Sequence, residues 1–185
     1  MSRIIVDSIR NSSATSDGIT LSSDGKVAFP NTSTGKILQV VHTAKTSEFT
    51  TTSTSYTDLT GFSASITPQT NSKVLVILNI HAYVEFNAHS SGEGYGIQLV
   101  RTPSGGSGTN VHTSPNKFEV YGYTDSSSNI QSGIRSSWHF LDSSVGGNGS
   151  TAITYKVQVA NYSASMIRYS QDGNVSSITL MEIGA

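Results

Sequence analysis

Between Lys73 and Phe86 every second residue is apolar: Val74, Val76, Leu78, Ile80, Ala82, Val84 and Phe86. A period of two puts them on one face of a β-strand, which predicts that this face is core. The alternate residues change along the strand from Leu75 and Ile77 to Asn79, His81, Tyr83 and Glu85. The second face therefore leaves a covered region and enters solvent or a partner. Shorter runs of the same kind predict strands over residues 37–45, 95–101, 117–123, 134–141, 151–160, 166–170 and 175–183, with one or two more in 56–67. The loops between them, 87–94, 102–116, 125–129 and 143–150, are rich in Gly, Asn and Ser. Gln171-Asp172-Gly173-Asn174 predicts a hairpin turn. No segment carries a 3.6-residue stripe, and so many short strands predict an all-β antiparallel sandwich or jelly roll over residues 36–185.

Residues 1–35 follow another rule. Asp17-Gly18-Ile19-Thr20-Leu21-Ser22-Ser23 is followed by Asp24-Gly25-Lys26-Val27-Ala28-Phe29, a seven-residue repeat in which Asp-Gly supplies a turn and an alternating trio supplies a short strand. Such strands cannot bury a face alone, and two copies fall short of the three that a stacked repeat needs. Two readings follow: pairing with the same segment of sister chains, or a single hairpin. Pro30-Asn31-Thr32-Ser33-Thr34-Gly35 reads as a linker.

Composition sharpens this picture. Ser and Thr make up 54 of 185 residues, and Ile, Val and Thr far outnumber Leu and Ala, as a pleated sheet favours. Only 12% of residues are charged and the net charge is −1, which speaks against a basic nucleic-acid binder. An apolar fraction of 35% makes a thin core and suggests apolar surface buried between chains. There is no Cys, so no disulfide framework is expected. The three apolar residues Ile4, Ile5 and Val6 are far short of a signal-peptide core, and no window reaches the length of a membrane span; a chain not inserted in a membrane is expected.

No constellation carries chemistry. His42, His81, His89, His112 and His139 occur in no metal-ligand spacing. Carboxylates are scattered, with Glu85 and Glu93 flanking one loop and no pair placed for glycoside hydrolysis. There is no G-x-S-x-G elbow and no helix to receive a phosphate loop. The N-x-[ST] matches at Asn11, Asn31, Asn148, Asn161 and Asn174 follow from composition. No catalytic, cofactor or metal site is expected. What remains is aromatic decoration (Tyr95, Tyr121, Tyr123, Trp138, Tyr155, Tyr162, Tyr169), most of it core or inter-chain packing; exposed rings beside Asn, Ser and Gly would suit stacking on sugar rings or protein contact.

Three stretches carry a likeness to a known family. They are Met1-Ser2-Arg3-Ile4-Ile5-Val6-Asp7-Ser8-Ile9 with the Asp-Gly repeats; Gly35-Lys36-Ile37-Leu38-Gln39-Val40-Val41 with Ser65-Ile66-Thr67-Pro68 and Ser72-Lys73-Val74-Leu75-Val76; and Thr154-Tyr155-Lys156-Val157-Gln158 with Ser176-Ser177-Ile178-Thr179-Leu180-Met181-Glu182-Ile183. Together they resemble the small trimeric fibre or appendage proteins of tailed bacteriophage virions, especially of marine phages. The resemblance implies a structural, non-enzymatic protein on the virion surface. Its stem would be residues 1–35, attaching to other virion proteins through Arg3, Ile4, Ile5, Val6 and Ile9. Its trimeric head would be similar to jelly rolls of tumour-necrosis-factor type. Loops carried by a rigid scaffold concentrate function, so His89, Tyr95, Asn110, His112 and Asn148 are the candidates for contact with a host glycan or protein. The alternatives are a capsid decoration protein of the same fold and, from another class, a free carbohydrate-binding module or glycan hydrolase.

Overall fold

The computed structural model describes residues 6–10, 12–13, 15, 18–21, 23, 25, 27–28, 36–88, 92–164 and 166–184. The chain divides into two compact units, Met1–Gly35 and Lys36–Ala185. In the first, β1 (Ser8–Ile9), β2 (Ile19–Leu21) and β3 (Val27–Ala28) form a small antiparallel sheet with β2 in the middle. Thr20 lies opposite Ser8 on one side and Ala28 on the other. Within one chain the two Asp-Gly repeats thus pair as a hairpin, with Gly25 at φ 81°, a conformation glycine adopts without penalty. Strands this short cover little, and Ile9 and Val27 stay 56% and 53% exposed.

The second unit is a two-layer sandwich. One sheet holds β4 (Ile37–Lys45), β5 (Phe49–Thr51), β7 (Lys73–Phe86), β11 (Ile130–Asp142), β13 (Met166–Tyr169) and β14 (Ser176–Ile183). The other holds β6 (Thr57–Ile66), β8 (Glu93–Pro103), β9 (Thr109–Thr113), β10 (Val120–Gly122) and β12 (Ile153–Tyr162). All ladders are antiparallel. The strands fill four positions in each sheet, because β13 and β14 share one edge of β7 while β9 and β10 share one edge of β8. The order is β4–β14–β7–β11 in one layer and β6–β12–β8–β9 in the other, with the chain passing repeatedly between layers, as in a jelly roll.

Alternation fixes which side chains meet in the middle. The seven apolar residues of β7 predicted to face the core are all buried, as are Tyr95, Ile97 and Leu99 of β8 and Tyr155, Val157 and Val159 of β12. Tyr95 and Tyr169 meet across the layers edge to face, with ring centroids 5.5 Å apart. In β6 the inward phase slips: Leu59 is buried, and so are Phe62, Ala64 and Ile66. The register against β12 shifts between Lys156 and Gln158, and Gly61 at φ 75° accommodates the bulge.

Several sequence expectations need correction. Gln171-Asp172-Gly173-Asn174 does not close a hairpin. A 3₁₀ turn at Gln171–Gly173 carries the chain from β13, opposite residues 82–85 of β7, to β14, opposite residues 73–79 of the same edge. Ser170, Asp172 and Gly173 all have left-handed φ, which lifts the chain off the ladder and sets it down again. Two serines close the gap: the Ser170 amide donates to the His81 carbonyl at 3.0 Å, and the His81 amide donates to Ser176 Oγ at 3.0 Å. Both backbone polar groups of His81, the β7 residue at the break, are thus satisfied. Residues 102–116 are no simple loop, since they contain β9 and a 3₁₀ turn at Pro115–Lys117. The strand placed over 117–123 shrinks to β10, and β11 starts earlier than residue 134.

The sandwich has two distinct ends. At one, the turns 67–72, 104–108 and 143–152 gather, and the second unit begins and ends there, with the Gly184 amide donating to the Lys36 carbonyl at 2.8 Å. Buried Asp142 braces this end, accepting from Arg101 Nη1 at 2.8 and 2.9 Å, from Tyr155 Oη at 2.8 Å and from the Ser144 amide at 3.0 Å. The other end, about 45 Å away along the 14 residues of β7 at roughly 3.3 Å each, carries the starts of β6, β8 and β11 and the end of β12.

Candidate functional site

The contact candidates chosen from sequence do not converge on one place. Tyr95 is fully buried, its hydroxyl hydrogen-bonded to Ser136 Oγ at 2.9 Å; burial pushes the phenol far above its ordinary value. It is a core residue, because it stands on the inward phase of β8 just after the loop. His112 lies on β9 and closes the edge between the layers: Trp138 Nε1 donates to His112 Nε2 at 3.2 Å, and the two rings meet nearly at right angles with centroids 4.5 Å apart. Asn110 is exposed on the same edge strand. Asn148 is exposed at the end that holds Lys36 and Gly184, but its side chain is spent on its own turn, with Oδ1 accepting from the amides of Ser150 and Thr151 at 2.9 and 2.7 Å. Val6 and Ile9 belong to the first unit and are exposed. Arg3, Ile4, Ile5 and His89 lie outside the described residues.

The structure instead gathers polar and aromatic groups at the far end, around a cleft of about 430 Å³ lined by Tyr56, Thr113, Ser114, Asn116, Lys117, Phe118 and Tyr162. Its local cause is Pro115, which starts a single 3₁₀ turn after Ser114. Buried Ser114 anchors that turn to β8: its amide donates to the Ile97 carbonyl at 2.8 Å, its hydroxyl accepts from the Ile97 amide at 3.1 Å, and it donates to Glu119 Oε2 at 3.1 Å. Asn116 and Lys117 follow with φ of 53° and 63°. Two successive left-handed residues without glycine are costly and persist only where surrounding contacts hold them. Gly96 lets the turn lie so close, for a Cβ there would come within 2.5 Å of Lys117 Cα and 2.6 Å of the Tyr56 hydroxyl.

Aromatic rings form the walls. Phe118, 44% exposed, stands perpendicular to Tyr162 at 4.9 Å between centroids and tilted against Tyr121 at 4.7 Å. Tyr56 Oη donates to the Ser114 carbonyl at 3.3 Å, and its pKa is raised by burial and by nearby Glu119, so it stays a neutral donor. Lys117 Nζ donates to the Thr54 carbonyl at 2.5 Å and keeps two further N–H donors. Among the described residues no group of three or more His, Asp or Glu is placed to hold a metal ion.

In the sequence Tyr121 and Tyr162 read as aromatic decoration, and no local pattern singles out Tyr56, Asn116, Lys117 or Phe118. The available signals were the Pro115-Asn116 pair inside a supposed loop and the alternating Gly92, Gly94 and Gly96, which mark close backbone approach. No protein-family model matches this chain, and no curated protein matches it either.

Proposed function

We propose that this chain is a structural protein of a tailed-phage virion: a homotrimeric fibre or appendage that is held to the particle through residues 1–35 and meets the host surface with its head. The observation that supports it most is the outward face of the β4–β14–β7–β11 sheet. By register, Val40, Met181, Leu75 and Leu141 lie side by side across all four strands, with Ile77 in the next row and Leu38 close by. Val40, Leu38, Leu141 and Ile77 are 56%, 46%, 46% and 37% exposed. Contiguous apolar surface of this kind marks an interface, and closed symmetry is the usual way a chain covers its own patch.

The far end of the head, opposite the end that holds Lys36 and Gly184, carries the aromatic cleft and is the end assigned to host contact. Labelled antibody against the head, imaged on intact particles, tests the reading. Label at the tail, with loss of adsorption when the head is blocked, is the expected result. Label over the capsid shell, with adsorption unchanged, overturns it in favour of a decoration protein of the same fold.

A further inference from the structure

The cleft at the far end of the head is built from a strained turn that buried Ser114 ties to β8. Two left-handed residues in succession and a glycine with no room for a Cβ hold Lys117 and Phe118 in place. Such strain is tolerated where a site must be pre-formed. A volume of about 430 Å³ falls in the range of small-molecule sites, about 300 to 1,000 Å³.

The geometry points to an uncharged pyranose ring as the ligand of this cleft. The inference rests on the reading above, in which this end of the head meets the host. Three features select that chemistry. Phe118 and Tyr162 stand at 89° to each other, so one ring offers a flat wall to the C–H face of a sugar while the other closes the side. The rim carries neutral or multi-donor groups suited to hydroxyls that both donate and accept: the exposed Asn116 amide, the Thr113 hydroxyl and the remaining donors of Lys117. A carboxylate stands beside the cleft as well, since Glu119 accepts from Ser114 Oγ at 3.1 Å and raises the Tyr56 pKa, which works against an anionic ligand. A purely apolar ligand would leave the rim donors unpaired, a loss that binding sites avoid.

The test uses the intact chain and saturation-transfer NMR with a panel of methyl pyranosides of gluco, galacto, manno and N-acetylglucosamine configuration. At least one glycoside should receive transfer strongest on the protons of one ring face. Phe118→Leu keeps apolar bulk but removes the ring, and should weaken that binding about tenfold. Lys117→Gly, whose φ suits glycine, should weaken it by a smaller factor without unfolding the turn, and Lys156→Ala on the outer face of β12 should leave it unchanged. Absence of transfer for the whole panel, or full affinity in Phe118→Leu, overturns the assignment. Adsorption separates this from the broader reading. If Phe118→Leu particles adsorb normally while antibody against the head blocks adsorption, the pyranose site falls and the fibre stands. If glycosides bind at the cleft but blocking the head leaves adsorption untouched, the site stands and the fibre falls.

Discussion

The two outer faces of the sandwich are built from the same kind of strand and end up opposite in character. On the β6–β12–β8 side the outward residues satisfy one another: Lys156 Nζ and Gln158 Nε2 each donate to Asp58 at 2.8 Å, Ser65 pairs with Thr154 at 2.8 Å, and Gln98 donates to Thr113 at 2.9 Å. On the β4–β14–β7–β11 side, the half near Lys36 and Gly184 is the apolar row of Val40, Met181, Leu75 and Leu141, and the other half is polar, with Arg135 donating to Asn79 at 3.1 Å and Gln131 to Glu85 at 2.9 Å. Apart from the phase slip at Gly61 in β6, both faces alternate with the core. Alternation therefore says which residues point outward, whereas the nature of the outward set says whether that face is meant to stay in water.

The sharpest way to break this comparison is to place a charge in each face. Leu75→Asp would bury an unpaired carboxylate at the proposed interface, a change that costs about 3 to 5 kcal/mol where a charge is left uncompensated, so the assembly should dissociate in sedimentation while the far-ultraviolet spectrum stays β. Thr154→Asp on the polar face should leave the mass as it was. Equal behaviour of the two variants would remove the distinction between the faces.

Neighbours on β7 give the next test. Leu78, fully buried, should lose about 2 to 5 kcal/mol of folding stability as Leu78→Ala. Ile77→Ala, one residue along and 37% exposed, should spare the protomer and weaken association, so its effect on the melting temperature should grow with protein concentration. A concentration-independent melt in Ile77→Ala would count against a covered face.

Acid acts on both sides of the molecule in one direction. His81, on the polar half of the β7 outer face, has its pKa lowered from 6.5 by burial and by Arg135, with Asp172 opposing. Its folded form binds a proton less readily than the unfolded chain, so its contribution is complete above about pH 6.5 and declines as pH falls below that. Burial alone would raise the Glu182 carboxyl, yet hydrogen bonds from Gln39 Nε2 and the Gln69 amide, both at 2.7 Å, leave it lowered from 4.5. Asp58 is likewise lowered, by Lys156 and Gln158. Both carboxylates contribute above their unfolded values and lose that contribution as pH drops toward their folded ones. Melting temperature should therefore fall in two stages on acidification, the first absent in His81→Asn; a melt that is flat between pH 7 and 5 would contradict the His81 assignment.

The smallest effect belongs to the polar face. Lys156 and Asp58 are 36% and 49% exposed, and exposed pairs contribute about 1 kcal/mol or less, so Lys156→Ala should barely shift a urea midpoint at moderate salt. A shift as large as that of Leu78→Ala would mean this face is buried too.

Much of the fold was legible because the core strands have clean period-two patterns. The limits of β7 follow from them directly, and so does the change in its outer face after Ile77. Illegible were the features in which two chain segments share one strand edge. Nothing in Gln171-Asp172-Gly173-Asn174 distinguishes a hairpin from a jog, because the outcome depends on Ser170 and Ser176 reaching the His81 backbone from either side. In β6 the phase change at Gly61 splits one inward face across two parities, which a single-period reading takes as separate strands. The cleft was hidden for another reason: Tyr56, Phe118 and Tyr162 come from three separate segments, and Lys117 owes its position to a left-handed backbone that its residue type does not announce. Tyr95 stands beside a loop in the sequence, which suggests exposure, but strand phase puts it inside.

The most direct test of the account is the mass of the intact chain in solution, measured by sedimentation equilibrium at micromolar concentration. Three copies of the 19.6 kDa chain, with the apolar row of Val40, Leu75, Leu141 and Met181 protected from solvent labelling, is the predicted result. A stable 19.6 kDa species with that row fully accessible would contradict it.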